Sequence, residues 1–475
     1  MNKQIKTDIC VIGAGSGGLS VAAGAVQMGA HTVLIERGLM GGDCLNYGCV
    51  PSKALLAAAK QAHLMEAGAA FGIEPTKPHV DFKAVQAHVR DVIDGIAPTD
   101  SVERFEGLGV QVIKDTARFK DGETIIAGDI EIKARRFVVA TGSSPSVPPI
   151  PGLDRVSYLT NETIFENQTC PDHLIIIGGG PIGMEMAQAH RRLGAKVTVL
   201  EAATAFAKDD AELSGLVVDA LRREGVEILE GVKITQVEEA SGGGVTVSLS
   251  DAGDVTQLQG SHLLVATGRA PNIDGLDLDK ADIEHSKRGI KVDDRLRTSN
   301  RKIFAIGDVT GGLQFTHVAG YHAGIVIRNA LFRLPAKVDH SAVPWVTYTD
   351  PELAHVGETE AQAKDRYGKA NVLRWPLAEN DRARAERRME GAAKIVTDAH
   401  GRILGATIVG PHAGDLIQPW VLAKSKGLKI SAMASMIAPY PTLGEVSKRA
   451  AGSYYTPTLF STRTRLLVKF LRLFG

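Results

Sequence analysis

The chain has 475 residues, 44% of them hydrophobic and 23% charged, and its 54 basic side chains balance 54 acidic ones. That length predicts about three domains, with cores large enough to need no disulfide staples. The composition is ordinary for a soluble globular protein, and the charge balance gives no sign of a nucleic-acid or acidic partner, leaving a small substrate or another protein.

In chain order, the apolar run Ile9–Ile12 predicts a buried strand leading into Gly13-Ala14-Gly15-Ser16-Gly17-Gly18. A small-residue helix follows over 19–28, then a second strand over 31–35 ending in Glu36. In that setting Gly13, Gly15 and Gly18 supply a tight turn, close approach of backbone N–H groups to a pyrophosphate, and close helix–sheet packing. Glu36 is placed to accept hydrogen bonds from a ribose. No charged leader or cleavable hydrophobic region precedes the strand, and no apolar run reaches the ~18 residues of a membrane span, so a cytoplasmic protein is expected.

The next segment, from Gly41 to Lys53, carries Cys44 and Cys49 with four residues between them. Gly48 lets the intervening turn tighten until the sulfurs can meet. Pro51 suits the first turn of a helix predicted to continue to Glu66, which puts Cys49 at the positive end, where a thiolate is favoured. Lys53 adds a second positive charge. The Gly-rich, Pro-flanked context favours a redox-active pair over a structural disulfide or two unrelated buried thiols. Cys10 and Cys170 read as packing residues.

The nucleotide-binding pattern then recurs: strand 174–177, Gly178-Gly179-Gly180-Pro181-Ile182-Gly183, a helix to Leu193, strand 196–200 and Glu201. In both copies the acid lies 23 positions after the first glycine. Two dinucleotide sites follow, the second built on Gly178, Gly180, Gly183 and Glu201. A carboxylate at the end of the second strand accepts from a ribose 2′-hydroxyl and repels a 2′-phosphate, and no arginine pair follows it over 202–206. NADH is therefore expected in preference to NADPH.

Together with Ala140-Thr141-Gly142, Ala266-Thr267-Gly268-Arg269, Ile306-Gly307-Asp308 and Thr349-Asp350-Pro351-Glu352, these motifs run in the order of the class I pyridine nucleotide-disulfide oxidoreductases. The chain resembles that family, which includes lipoamide dehydrogenase, glutathione reductase and mercuric reductase, over roughly residues 7 to 445. The resemblance implies an α/β fold with two Rossmann-like nucleotide-binding domains and a C-terminal α+β dimerisation domain. FAD would occupy residues 1–150 with 277–340, NAD(P) residues 151–276, and the interface residues 341–475. It also implies that Cys44 is the interchange thiol and Cys49 the thiolate against the flavin, with Lys53 approaching the flavin and pairing with Glu185. Asp308 would bind the ribityl chain, Ala117 the adenine end, and Thr141, Gly142 and Gly268 further parts of the cofactors. A homodimer would complete each active site across its interface, passing electrons from NADH through FAD and the cysteines to a small disulfide or thiol-reactive electrophile.

The chain departs from the family at Tyr440-Pro441-Thr442-Leu443-Gly444-Glu445, where the family has His-Pro-Thr-x-x-Glu. A phenol titrating near ~10 is a poor base where a histidine near ~6.5 serves well, which argues against ordinary lipoamide dehydrogenase or glutathione reductase activity. Tyr440 can still donate a hydrogen bond, with Glu445 in its family place. Mercuric reductases also have a tyrosine in this region, but they add a C-terminal cysteine pair, whereas this chain has no cysteine after Cys170. The tail over 462–475 predicts a basic amphipathic helix, with Arg465, Lys469 and Arg472 on one face and Leu466, Leu467, Phe470, Leu471 and Phe474 on the other. Such a helix can lie on an anionic membrane surface, dock a protein, or pack on the dimer. The readings in competition with disulfide reduction are a flavin diaphorase acting on a quinone or metal ion, and a degenerate redox-sensing interaction protein.

Overall fold

The computed structural model describes residues 3–251 and 254–474. Its first sheet is centred on the strand Lys3–Ile12, with Thr32–Ile35 and then Gln111–Ile113 on one side and Ile130–Val139 on the other, all parallel. Ile9 and Val11 enter one core and Cys10 and Ile12 the opposite one. Both faces are covered, as the uninterrupted apolar run requires in a parallel sheet. The helices Ser16–Gln27 and Thr316–Ala330 pack against each other beside the first of these cores.

The first strand begins earlier than the apolar run predicts, because Lys3–Thr7 pair with Ile130–Ala134 at the more exposed end of the sheet. Pairing there is a backbone matter, and a polar sequence does not announce it. On its edge away from Lys3–Ile12, the ten-residue strand Ile130–Val139 serves two further neighbours. Its first half takes the antiparallel strand Thr124–Ala127, and its last three residues take the parallel strand Ile303–Ala305. The chain therefore returns to its first sheet after building a second.

That second sheet is parallel, in the order Glu227–Glu230, Lys196–Glu201, His173–Ile177, His262–Val265, with a three-stranded antiparallel sheet beside it. The third unit is a five-stranded antiparallel sheet, whose core holds the fully buried Trp420 and the helix Glu445–Ser453. The molecule is thus α/β, with two Rossmann-like units and an α+β unit. The tail helix spans Thr462–Leu471, N-capped by Ser461. Among the described residues no helix is long and apolar enough to cross a membrane.

Candidate active site

The two glycine loops are built alike. Gly13 has φ +100° and Gly178 φ +117°, and a Cβ on either would fall 2.4 Å from a carbonyl oxygen of the adjoining strand end, Ala140 and Ala266 respectively. A Cβ on Gly18 would lie 1.8 Å from the Gly13 oxygen, and one on Gly183 2.0 Å from the Gly178 oxygen. These glycines hold turn and helix together. The middle glycines differ: a Cβ on Gly15 meets only Gly42 Cα, at 3.9 Å, and one on Gly180 meets nothing within 4 Å. The space above them is free for a ligand, and a pyrophosphate at each helix N-terminus fits it.

The acids are also placed alike. Glu36 accepts from the N–H groups of Ala14 (2.6 Å) and Gly38 (2.6 Å), and Glu201 from those of Gly179 (2.7 Å) and Ala203 (2.8 Å). Each carboxylate is braced across its glycine loop before a nucleotide arrives.

A cavity of about 980 Å³ joins Gly13, Gly15, Glu36, Thr141, Gly142 and Asp308 to Cys44, Cys49, Lys53 and Glu185. Its size suits a large cofactor. Burial lifts the Asp308 carboxyl above its ordinary range, and Ser143 donates to it at 2.6 Å. Ala117 stands with Gly13, Glu36 and Thr141 on a small adjoining cavity of about 70 Å³. Gly268 is not on the wall of the large cavity; its carbonyl accepts from Ser146 N–H, and the next residue, Arg269, takes the place on the wall.

Cys44 lies on the short helix Gly42–Asn46, and Cys49 opens the long helix Cys49–Glu66. Gly48 has ordinary negative φ, and a Cβ there would meet Asp43 Oδ2 at 2.9 Å, so the turn needs its small size. Both cysteines are free thiols. Cys49 is lowered to about 6, first by the hydrogen bond from Cys44, then by Thr316 Oγ1 at 3.4 Å and the charge of Lys53. Cys44 moves up for the reciprocal reason, because its proton is shared toward the Cys49 sulfur and the site is partly buried. The first proton lost by the pair therefore leaves Cys49.

Lys53 is held on two sides. Its Nζ donates to Glu185 Oε2 at 2.7 Å and lies 4.4 Å from the centre of the Tyr348 ring, while Tyr348 N–H donates to Glu185 Oε1 at 2.9 Å. One residue from each of the three units meets there. Arg269 ties the cysteine turn to the strand Ser143–Pro145, reaching Asp43 at 3.0 Å and both Oγ and the carbonyl oxygen of Ser143 at 2.7 Å. Arg269, Thr316 and Tyr348 were not singled out from sequence as site residues. Only Arg269 had a local signal, as the last residue of Ala266-Thr267-Gly268-Arg269.

Tyr440 is not brought to the cysteines within the protomer. It is 69% exposed and donates to Asp381 at 3.2 Å, which raises its pKa, with a smaller contribution from Glu445. Glu445 opens the helix Glu445–Ser453.

The Cys49 value gives a pH dependence. With FAD bound and the pair reduced, long-wavelength absorbance from thiolate against flavin is expected to be present above pH ~6 and to fade as Cys49 protonates below it. A spectrophotometric titration between pH 4.5 and 8 checks this, and a midpoint above 8 would contradict the Cys44-to-Cys49 polarity.

Residues 7–323 match the pyridine nucleotide-disulphide oxidoreductase family, and residues 343–451 its dimerisation domain. A mercuric reductase of Lysinibacillus sphaericus is 38% identical over 447 residues, 94% of this chain and 82% of that protein. A dihydrolipoyl dehydrogenase of Geobacillus stearothermophilus is 35% identical over 94% of this chain and 96% of its own length. Among solved structures, the Cu(II) complex of the HOCl-induced flavoprotein disulfide reductase RclA of Escherichia coli superposes with a TM-score of 0.85 at 28% identity, covering 95% of this chain and 100% of that one.

Proposed function

Because this chain belongs to the pyridine nucleotide-disulphide oxidoreductase family, and is an FAD-dependent NAD(P)H disulfide oxidoreductase, we propose that it carries electrons from NADH to a small disulfide or thiol-reactive electrophile attacked by Cys44. The observation that carries the reading is the polarised thiol pair, Cys49 acidic at a helix N-terminus and Cys44 holding the proton. FAD, bound by residues 1–150 and 277–340, supplies the two-electron exchange between NADH, bound by residues 151–276, and the cysteines.

The residues then do the following. Cys44 passes its proton to the Cys49 sulfur along their hydrogen bond and attacks one sulfur of the substrate disulfide as thiolate, and the proton then leaves with the first product thiol. Cys49 thiolate attacks the Cys44 sulfur of the mixed disulfide, releasing the second thiolate and closing the Cys44–Cys49 bond. Lys53, fixed by Glu185 and Tyr348, keeps positive charge beside Cys49. In the homodimer formed through residues 341–475, Tyr440 of each protomer closes its partner's site and donates a hydrogen bond to the departing thiolate, with Glu445 beside it. Asp43 and Arg269 hold the cysteine turn. The supply of NADH fits a cytoplasmic enzyme.

The test is an anaerobic titration of the purified flavoprotein with NADH, followed by a panel of disulfides, mercuric ion and quinones. A long-wavelength band discharged by one disulfide supports the reading, and direct bleaching without the band overturns it.

For the nicotinamide, Glu201→Gln is expected to narrow the NADH over NADPH ratio of kcat/KM by about tenfold, the effect of ~1.4 kcal/mol. The carboxylate is held facing a 2′-phosphate by two backbone N–H groups, and the amide removes the charge repulsion while giving up one of those two hydrogen bonds. An unchanged ratio would place the ribose elsewhere.

A further inference from the structure

The helix Thr462–Leu471 lies beyond the matched dimerisation domain, which ends at residue 451, and none of its residues is buried. Its start is well made: Ser461 caps Thr464 N–H at 3.2 Å, and Thr464 Oγ1 donates to the Thr458 carbonyl at 2.7 Å. The helix is therefore positioned locally, with no apolar face covered. Leu466, Leu467, Phe470 and Leu471 are each more than half exposed, and they are continued by Leu473 at 78% and Phe474 at 75%. An apolar surface of this kind in water calls for an occupant.

Charge identifies the occupant. Over 446–475 there are six basic residues and no acidic one, although the whole chain is neutral. At 100° per residue, Arg465, Lys469 and Arg472 fall in one arc and Leu466, Leu467, Phe470, Leu471 and Phe474 in the arc opposite, with Arg463 on the apolar side at the helix start. Among the described residues none of Arg463, Arg465, Lys469 and Arg472 makes an ion pair. The ten-residue helix is about 15 Å long at 1.5 Å per residue, half of a hydrocarbon core, so it lies along a membrane and does not cross it. A folded protein partner would meet the apolar arc with a shaped groove and the cations with matching carboxylates. A bilayer needs neither, since apolar side chains enter the acyl boundary while lysine and arginine reach out to lipid phosphates.

We propose that the tail helix docks the enzyme on the surface of a membrane containing anionic lipid. Docking uses the apolar arc for insertion and the cationic arc for attraction, so it weakens as salt screens the charges.

The test is co-sedimentation of the FAD-loaded full chain with vesicles of phosphatidylglycerol and phosphatidylethanolamine, against vesicles of phosphatidylcholine alone. Binding to the anionic vesicles, reversed by salt and absent from phosphatidylcholine, is expected. The quadruple variant Arg463→Gln, Arg465→Gln, Lys469→Gln, Arg472→Gln and the double variant Leu467→Glu, Phe470→Glu should each lower partitioning by at least about tenfold. Both change only exposed positions, and flavin content, NADH-dependent turnover and dimer mass should stay at wild-type values. The salt titration of the wild type needs no variant. No sedimentation, sedimentation indifferent to lipid charge and to both variants, or dissociation of the dimer by the Leu467→Glu, Phe470→Glu change would each overturn the proposal, the last by showing that a second copy covers the helix.

Discussion

Cys44→Ser is expected to cut disulfide turnover by about 10³-fold or more while NADH-dependent reduction of a quinone dye continues. The serine hydroxyl cannot form the mixed disulfide, yet it leaves the glycine loops, Glu36, Asp308 and Lys53 untouched. The substitution keeps a donor toward Cys49, because the serine hydroxyl can give the hydrogen bond that lowers the Cys49 pKa in the wild type. With Thr316 and Lys53 also unchanged, the thiolate absorbance of the variant should persist at neutral pH. Steady-state assays with a disulfide and a quinone, with the pH titration alongside, check both parts. Retained disulfide turnover would remove Cys44 from the reaction. Loss of both activities would mean that quinone reduction also passes through the pair.

The second large effect separates two glycines of one motif. Gly18→Ala drives a methyl group to 1.8 Å from the Gly13 oxygen, which is backbone and has nowhere to go. Overpacking of that kind costs about 3 kcal/mol or more, so little folded, flavin-loaded protein is expected. Gly15→Ala meets nothing closer than Gly42 Cα at 3.9 Å, so the apoprotein should unfold with near wild-type behaviour while its FAD affinity falls. Thermal unfolding of the apo forms and the flavin-to-protein ratio after reconstitution check the pair. Equal effects at 15 and 18 would mean that the middle glycine is structural as well.

The features legible in sequence were those whose cause is local. The turn-to-helix approach in each glycine loop is set within six residues, by Gly18 against Gly13 and Gly183 against Gly178, and the acid 23 positions on is fixed by one helix and one strand, so both copies could be read from the sequence. The start of the long helix at Cys49 was legible for the same reason. Hidden features depend on chain closure. Thr316 reaches Cys49 across 267 positions, and Tyr348 reaches Glu185 across 163, with no periodicity to mark either. Arg269 closes the motif Ala266-Thr267-Gly268-Arg269, but its bond to Asp43 belongs to the meeting of two units. Tyr440 shows the opposite limit. Its substitution was plain in the sequence, but the protomer alone places it on the surface with Asp381, and whatever a dimer brings against it has no local signal.

The pairing of Ile303–Ala305 with Phe137–Val139 has a consequence for how the molecule is made. During vectorial synthesis the second parallel sheet, spanning 173 to 265 in one continuous stretch, can close as soon as it leaves the ribosome. The first sheet waits for a strand about 160 residues downstream of its neighbour, roughly 8 to 30 seconds of elongation. Asp308 arrives later still. The nicotinamide-side unit is therefore complete while its flavin-side neighbour still lacks an edge, and the nascent chain has a fixed order of assembly that its N-to-C domain order does not suggest.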